Sequence, residues 1–599
     1  MALEQVKLEP GLRLRPRILI GLGSCGLAAG GEEVRSAFLA ALRRLGLEAE
    51  VRPTGCLGLC HQEVLVEVRL PGLPPAFYAR VTPEKAERIA EEHLGRGRVV
   101  EEWLLPGGEA GGEFLQGQTR ICLRNCGRID PEDLDEALGA GCYLALGKAL
   151  REMKPEEVVA EVRRSGLRGR GGAGFPTWRK WEEVRRAPGP EKYVICNGDE
   201  GDPGVFINRT LLEGDPHSVL EGMAIAAYAV GAATGYLYVR TEYPLAIRRL
   251  RRAIEQAEAR GLLGRDILGS GFHFSVQVVE GNGAFVCGEE TALIASLQGE
   301  RGVPRPRPPY PSTAGLWGKP TVVNNVETLA AVAPIIQRGG SWYAGFGQGE
   351  SRGTKVFALS GEVERPGLVE VPLGLPLRRL IYELGGGIRE GRSLKAVLIG
   401  GPSGGCLPPG LLDTSMDYEA LERVGAMIGS GDVVALDERH CLPDLARFIA
   451  EFAAAESCGN CLPCREGLHQ LLALLDRIVR GEAEEGALEE LQALAELVRD
   501  TSLCGLGRTA PNVVLSTLRY FRAEYEAHVL EKRCPANACP HLRSFYIVPE
   551  RCRGCARCVG ACPRGCISGQ PGQPYRIDSG RCIRCGECQR ACVFGAVAS

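Results

Sequence analysis

The sequence predicts a multidomain α/β protein that ends in small metal-bearing domains. Three observations carry this. At 599 residues and about 150 residues per domain, the chain has length for roughly four hydrophobic cores. Strand-like runs and helix-period runs alternate from residue 17 onward, the pattern of sheets covered by helices. The 25 cysteines fall largely in CxxC runs and lack the scattered spacing of a small secreted domain, which favours metal ligation in a reducing compartment, the cytoplasm.

Charge and hydropathy narrow the function classes. A formal net charge of -3 argues against a nucleic-acid partner. The N-terminal MALEQVKLEPGLRLRPR has no apolar core of signal-peptide length, so no export signal is expected. The most apolar stretch, MAIAAYAVGAATGYLYV from Met223, falls short of the ~20 residues of a membrane span. It reads as a buried helix leading into a strand.

Taken in order, residues 1–100 alternate RILIGLG, EEVRSAFLAALRRLG, EAEVRPTGCLGLC and EVLVEVRL, a small α/β domain carrying Cys25, Cys56 and Cys60. Residues 101–118, within a segment rich in glycine and acidic residues, read as a linker. Residues 119–350 contain the densest polar and glycine motifs, LRGRGGAGFPTWRKW and CNGDEGDPGVFINR. Gly169, Gly171, Gly172 and Gly174 leave no side chain between backbone and a flat or phosphorylated ligand, while Arg170 and Lys180 supply positive charge. Gly169 to Gly174 satisfies GxGxxG, but the preceding KPEEVVAEVRRSG is helical, and the dinucleotide fingerprint requires a strand there. The strand YVICN delivers Asn197, Asp199 and Glu200 to a loop at its C-terminal end, where α/β sheets bind ligands. Asp202 stands in Asp-Pro-Gly, which is also a plain turn signature. Glu289 and Glu290 open the helix EETALIASLQG, where dipole complementarity alone accounts for one acidic residue. Cys122, Cys126 and Cys142 have no ligand spacing and read as ordinary thiols.

SCGNCLPCREG places Cys458, Cys461 and Cys464 on one tight turn, with Cys504 following in SLCGLG. Three thiolates plus a distant fourth is a 4Fe-4S arrangement, and zinc sites usually present cysteines in pairs. Near the C-terminus, CRGCARCVGACP and CIRCGECQRACV double the CxxCxxCxxxC run. In such ferredoxins the fourth cysteine of each run ligates the other cluster. One cluster then takes Cys552, Cys555, Cys558 and Cys592, and the second Cys582, Cys585, Cys588 and Cys562, leaving Cys566 over.

The glycine motifs, continued by GAFVCGEETALIASLQGERGVPRPRPPYP and GLWGKPTVVNNVETLA, closely resemble the flavin- and NADH-binding subunit of the NADH dehydrogenase family, over roughly residues 120 to 530. The family includes respiratory subunits and relatives in soluble hydrogenases and formate dehydrogenases. The resemblance implies a thioredoxin-like domain (1–100), a Rossmann-like FMN and NAD(H) domain (119–350), a ubiquitin-like β-grasp domain (351–437), a helical 4Fe-4S bundle (438–530), a connector (531–548) and a two-cluster ferredoxin domain (549–599).

By the same resemblance, the Gly169–Gly174 loop, Asn197 and Asp199 contact FMN, with Asn324 and Asn325 at its phosphate. Glu200 and Asp202 lie beside the nicotinamide and its ribose. Gly288, Glu289 and Glu290 meet flavin and nicotinamide, Glu200 and Glu290 being the catalytic candidates. Phe175 stacks on the adenine, and Arg307 and Tyr310 stand near the adenosine end. Glu183 departs from a phenylalanine frequent in respiratory subunits. The thioredoxin-like cluster normally uses two cysteine pairs, but the position near Ile20 and Gly21 holds no cysteine. Three thiolates do not complete a Cys₄ set, and His61 beside Cys60 reads as solvent-facing, so the expectation is a retained fold with its 2Fe-2S cofactor lost. In HVLEKRCPANAC, His528, Cys534 and Cys539 join Cys441 as a Cys₃His set for a structural zinc ion, an arrangement that resembles soluble NAD-reducing hydrogenase subunits.

The implied function is hydride exchange between NAD(H) and FMN, then one-electron transfer through three 4Fe-4S clusters. Domains fused at both ends resemble a subunit of a soluble electron-bifurcating complex. Its partners would be other iron-sulfur subunits, ferredoxin, and a hydrogenase or formate dehydrogenase. A respiratory NADH:quinone oxidoreductase subunit and a non-catalytic electron relay are the alternatives. The sequence leaves NAD against NADP open.

Overall fold

The computed structural model describes residues 15–106 and 112–598. The chain separates into two compact units: residues 1–391 with 397–404 and 410–435, and residues 392–396 with 405–409 and 436–599.

In the first unit, the N-terminal domain is a four-stranded mixed sheet ordered Glu50–Thr54, Arg17–Gly21, Val66–Arg69, Ala76–Tyr78. The helix Gly31–Leu45 buries Val34, Phe38 and Leu42 against it. The expected linker is folded at both ends. Trp103 lies under the cations of Lys85 and Arg88, Leu105 donates its amide to Phe77 O at 2.7 Å, and Gly112–Gln116 is a short helix. The rest of that linker, residues 107–111, lies outside the described residues.

The flavin-type domain is a four-stranded parallel sheet ordered Ser275–Gly281, Thr234–Arg240, Tyr193–Gly198, Thr321–Asn325. Crossover helices cover it because every connection between parallel strands must return over a face. The helix Pro216–Val230 is buried along almost its whole length and leads into the strand Thr234–Arg240, as its small apolar residues predict. No described helix is long and apolar enough to cross a membrane. Cys122, Cys126 and Cys142 are buried in this core. In the following domain, the strand Thr354–Gly361 pairs antiparallel with Gly367–Pro372 and parallel with Asp432–Asp437, Ala358 standing opposite Asp432.

The second unit contains four long helices, Leu442–Ala455, Leu462–Arg480, Ala487–Thr501 and Asn512–Val529, packed through Leu468, Leu471, Leu475, Leu491 and Val514. Beyond them, Tyr546–Ile547 pairs with Val597–Ala598 and Ile567–Ser568 with Arg576–Ile577, framing the two cysteine runs.

Candidate functional site

The glycine loop follows the helix Pro155–Ser165, whose C-cap Gly166 has φ 65°. Gly169 N donates to Phe175 O at 2.8 Å, closing the loop at its base. Gly174 must be glycine twice over: φ is +63°, and a Cβ would lie 2.6 Å from the ring of Tyr418, whose hydroxyl donates to Gly169 O at 2.9 Å. The loop is thus seated on Tyr418, a residue that the glycine pattern did not reveal. Gly171 lies against Asn325, and Gly172 adopts φ +135°.

Arg170 corrects one expectation. Its side chain is buried and its guanidinium donates to Thr354 O at 2.9 Å, Arg168 O at 2.8 Å, Arg352 O at 2.7 Å and the Tyr343 hydroxyl at 3.2 Å. Four of its five N–H donors are engaged within the protein, so this cation anchors the loop. Lys180 is paired with Glu290 and lies 3.3 Å from Val323 O, its Nζ 5.8 Å from the Phe175 ring centroid.

The acidic residues divide by what they cap. Glu200 is buried and accepts from the amides of Asn208 at 2.7 Å and Arg209 at 3.1 Å and from the Tyr243 hydroxyl at 3.3 Å. Burial raises its pKa, opposed by those amides. The carboxylate is satisfied at the start of the helix Ile207–Gly214 and anchors that helix. Glu289 is likewise the N-cap of Glu290–Leu297, accepting from Thr291 N at 2.8 Å and Ala292 N at 3.1 Å, and also faces Arg307 at 3.4 Å. Of the two adjacent glutamates, capping therefore accounts for Glu289, while Glu290 turns to Lys180 and to Arg307 at 3.8 Å.

Asn197 donates to Gly288 O at 2.9 Å, joining the strand end to the Gly-Glu-Glu turn, and accepts from Asp199 N at 3.1 Å. Asp202 accepts from Ser430, and burial lifts its pKa to about 6. Burial, then the Asp202 charge, push Asp432 well above the usual carboxylate range. Among the described residues, Asp202 Oδ1 and Asp432 Oδ1 are buried without a hydrogen-bond partner, acceptors suited to a ligand hydroxyl. Asp432 opens the strand Asp432–Asp437 and Ser430 lies in the turn before it, over two hundred residues away, and no motif signalled them. Asn324 accepts from Trp181 Nε1 at 2.8 Å; Asn325 caps the helix Val326–Arg338 through Glu327 N at 2.9 Å and donates to Asn208 at 3.2 Å. Both side chains brace the strand end. Phe175 and Tyr310 are exposed at 42% and 54%, two flat faces open to stack on a base, and Glu183 is exposed. The glycine backbone, one lysine, orphaned acceptors and free aromatic faces fit a flavin and a dinucleotide.

The iron-sulfur residues assemble in the second unit. Cys461 and Cys504 are N-caps of the helices Leu462–Arg480 and Gly505–Thr509; Cys464 lies in the first turn of the former, 3.3 Å from Ser457 Oγ. Burial pushes the Cys464 thiol up to about 11, with the charges of Cys461, Cys504 and Cys458 adding to it. At the C-terminus, Cys552, Cys555, Cys558 and Cys592 line one pocket, and Cys562, Cys582, Cys585 and Cys588 line another. The exchange of fourth cysteines between runs is thus present in the fold. Cys566 lies in the second cavity, its sulfur 3.3 Å from that of Cys562.

Cys441, His528, Cys534 and Cys539 are all buried, with ligand atoms within 4.8 Å of one another. Cys539 Sγ lies 3.4 Å from both Cys441 Sγ and His528 Nε2. Nδ1 of His528 lies 2.7 Å from Glu524 O, which orients Nε2 to the thiols. This spacing fits a single tetrahedral ion. In the first unit Cys25, Cys56 and Cys60 also converge within 4.8 Å.

Comparison with known proteins gives four family matches: the Nuo51 FMN-binding domain over 162–334, the SLBB domain over 356–407, the NADH-ubiquinone oxidoreductase-F iron-sulfur binding region over 444–528, and the 4Fe-4S dicluster domain over 551–596. The chain is 51% identical over 458 residues to the NADP-reducing hydrogenase subunit HndC of Solidesulfovibrio fructosivorans, covering 76% of this chain and 93% of that protein. It is 49% identical over 415 residues to the NADH-quinone oxidoreductase F 2 subunit of Rhizobium meliloti, covering 69% and 99% respectively. Among solved structures, a chain of an NAD⁺-reducing [NiFe]-hydrogenase in the H₂-reduced state matches with TM-score 0.62 and 32% identity, over 86% of this chain and 84% of that one.

Proposed function

The chain belongs to the family that unites the F subunits of NADH-quinone oxidoreductases with the hydrogenase subunit HndC, the NADH dehydrogenase module of multisubunit oxidoreductases, and from that premise we propose that it exchanges a hydride between NAD(H) and FMN and conducts the electrons singly through three 4Fe-4S clusters. The observation that carries this is the convergence of the Tyr418-seated glycine loop, Lys180, Asn197 and Glu290 at the C-terminal ends of two adjacent parallel strands. FMN, when bound, supplies the partner for the nicotinamide hydride and the step from two electrons to one.

The residues here bind and orient. Gly171 to Gly174 offer backbone amides, Lys180 offers charge to an anionic group, and Glu290 fixes that lysine. Asp202 offers a buried acceptor to a ribose hydroxyl. Phe175 and Tyr310 present faces to the adenine, with Arg307 near a phosphate. Glu200 and Glu289 hold the helices that place these groups. No protein acid or base is required, because a hydride carries its own electron pair.

The clusters would sit on Cys458, Cys461, Cys464 and Cys504, and on the two C-terminal sets. Zinc on Cys441, His528, Cys534 and Cys539 would be structural, since it has no redox role. The β-grasp domain carries no redox group and lends Tyr418, Ser430 and Asp432 to the site. The fused two-cluster domain supports a subunit of a cytoplasmic electron-bifurcating complex with ferredoxin and a hydrogenase or formate dehydrogenase as partners, running in either direction.

The test is an anaerobic NADH titration of the FMN-loaded chain, following flavin bleaching together with iron-sulfur EPR. Bleaching followed by four-iron signals supports the reading. A flavin-loaded chain that NADH does not bleach would instead be an electron relay.

A further inference from the structure

We propose that Cys25, Cys56 and Cys60 hold a single zinc ion, which fixes the loop by which the N-terminal domain meets the flavin-type domain. Cys56 follows the strand Glu50–Thr54, Cys60 opens the turn Cys60–Gln62, and Cys25 comes from the short helix Ser24–Ala28. All three sulfurs lie within 4.8 Å of one another. Those of Cys56 and Cys60 are 3.8 Å apart, the edge of a tetrahedron with metal-sulfur bonds of about 2.3 Å. One ion therefore reaches all three. Zinc takes thiolate ligands in tetrahedral geometry, and a water fills the fourth position where the protein supplies three.

The two-iron cluster that the thioredoxin-like resemblance implies does not fit these residues. It takes four cysteines, and sulfurs on different irons are held apart by both metals and the sulfides between them. Here three sulfurs crowd one point. The strand Arg17–Gly21 supplies no fourth thiol: Ile20 is fully buried in the apolar core of the domain, and Gly21 has no side chain. A Cβ built on Gly21 would lie 2.9 Å from Glu63 Oε2, so that carboxylate, held by the Leu65 amide at 3.0 Å, fills the space at the strand end. It stands outside the group of mutually close ligand atoms. His61 is turned away: its Nδ1 lies 2.8 Å from Pro366 O and its ring stands edge-on to Phe114.

Three thiolates and one Zn²⁺ leave a single negative charge, and the Arg209 guanidinium stands 3.8 Å from Cys25 Sγ to balance it. Gly58 N, 3.3 Å from Cys56 Sγ, is a second donor to sulfur. Ser24, beside Cys25, donates its amide and hydroxyl to Glu213 at 2.8 and 2.5 Å. Arg209 and Glu213 both belong to the helix Ile207–Gly214 of the flavin-type domain. The loop between Cys56 and Cys60 makes contacts of its own: Leu57 O accepts from Arg120 at 2.8 Å and Gly58 O from Leu368 N at 2.9 Å. Just before it, a Cβ on Gly55 would lie 2.5 Å from Gly214 Cα, so the two backbones touch. Residues 55–59 form neither helix nor strand. An ion that ties both ends of this loop to the helix Ser24–Ala28 holds it in the shape that these contacts require.

Metal analysis of the full chain, purified anaerobically, tests this. Cys25→Ser should lower bound zinc by about one ion per chain and leave iron, flavin content and the four-iron EPR signals unchanged, which shows that the variant is folded. His528→Ala reports the Cys441 site separately, so the loss in Cys25→Ser is expected whether or not that site holds metal. On the wild-type chain, alkylation read by mass spectrometry should find Cys25 and Cys60 protected until a zinc chelator is added, and labelled together afterwards. Zinc content unchanged by Cys25→Ser, a loss of about two iron atoms per chain in its place, or Cys25 labelled equally fast before and after chelation would overturn the assignment.

Discussion

Lys180 and Glu290 form an ion pair across the candidate flavin site, joining the helix that follows the glycine loop to the first residue of the helix Glu290–Leu297. Both side chains are 23% exposed, so the pair is shielded enough to fix geometry without being cut off from a ligand. Lys180→Met should lower FMN retention about tenfold, the loss of one charge-assisted contact of ~1.4 kcal/mol, with little change in melting temperature. Flavin released on denaturation of the purified variant measures this directly.

Glu200 acts at a helix start. Glu200→Ala strips two amides and a hydroxyl of their acceptor, and should cost about 1–3 kcal/mol of stability. NADH-dependent dye reduction per bound flavin should stay near the wild-type rate. Denaturant unfolding alongside activity separates the two; a large fall in the per-flavin rate would restore Glu200 to the reaction site.

The two C-terminal cavities predict crossed effects. Cys592→Ser should damage the cluster of Cys552, Cys555 and Cys558, and Cys562→Ser that of Cys582, Cys585 and Cys588. Redox-poised EPR of the two variants should therefore lose different signals. Loss of the same signal in both would contradict the crossed arrangement. Sequence spacing foretold this pairing, because the run length fixes which three cysteines share a turn.

The Cys₃His site should release one metal ion on prolonged chelation and lower the melting temperature of the second unit. His528→Ala should do the same, with flavin bleaching by NADH unchanged. Elemental analysis showing no bound metal in freshly purified wild-type chain would remove the site.

Glu221, in the buried helix Pro216–Val230, accepts from Leu146 N at 3.0 Å, and burial lifts its pKa to about 7. The folded chain holds this proton up to pH near 7, whereas the unfolded chain releases it near the usual carboxylate value of ~4.3. The stability that the protonated group contributes is present below ~4.3 and is lost as pH rises through 7. Glu221→Gln, which does not titrate, should gain stability relative to the wild type across that window, on the order of 1–3 kcal/mol. Parallel unfolding curves at pH 5 and 8 measure the difference, at about those two values.

What the sequence by itself determined was which groups stand together along the chain: the glycine loop, the acidic pairs and the CxxC runs, since local spacing dictates which side chains share a turn. The tertiary structure decided their direction. It turned Arg170 inward to the carbonyls of Thr354 and Arg352, gave Glu200 to a helix start, made Glu289 the cap and Glu290 the partner of Lys180, and brought Tyr418, Ser430 and Asp432 under the loop from far along the chain. Motifs state which groups are near in sequence. Where a buried polar group spends its hydrogen bonds depends on neighbours that only the folded chain supplies.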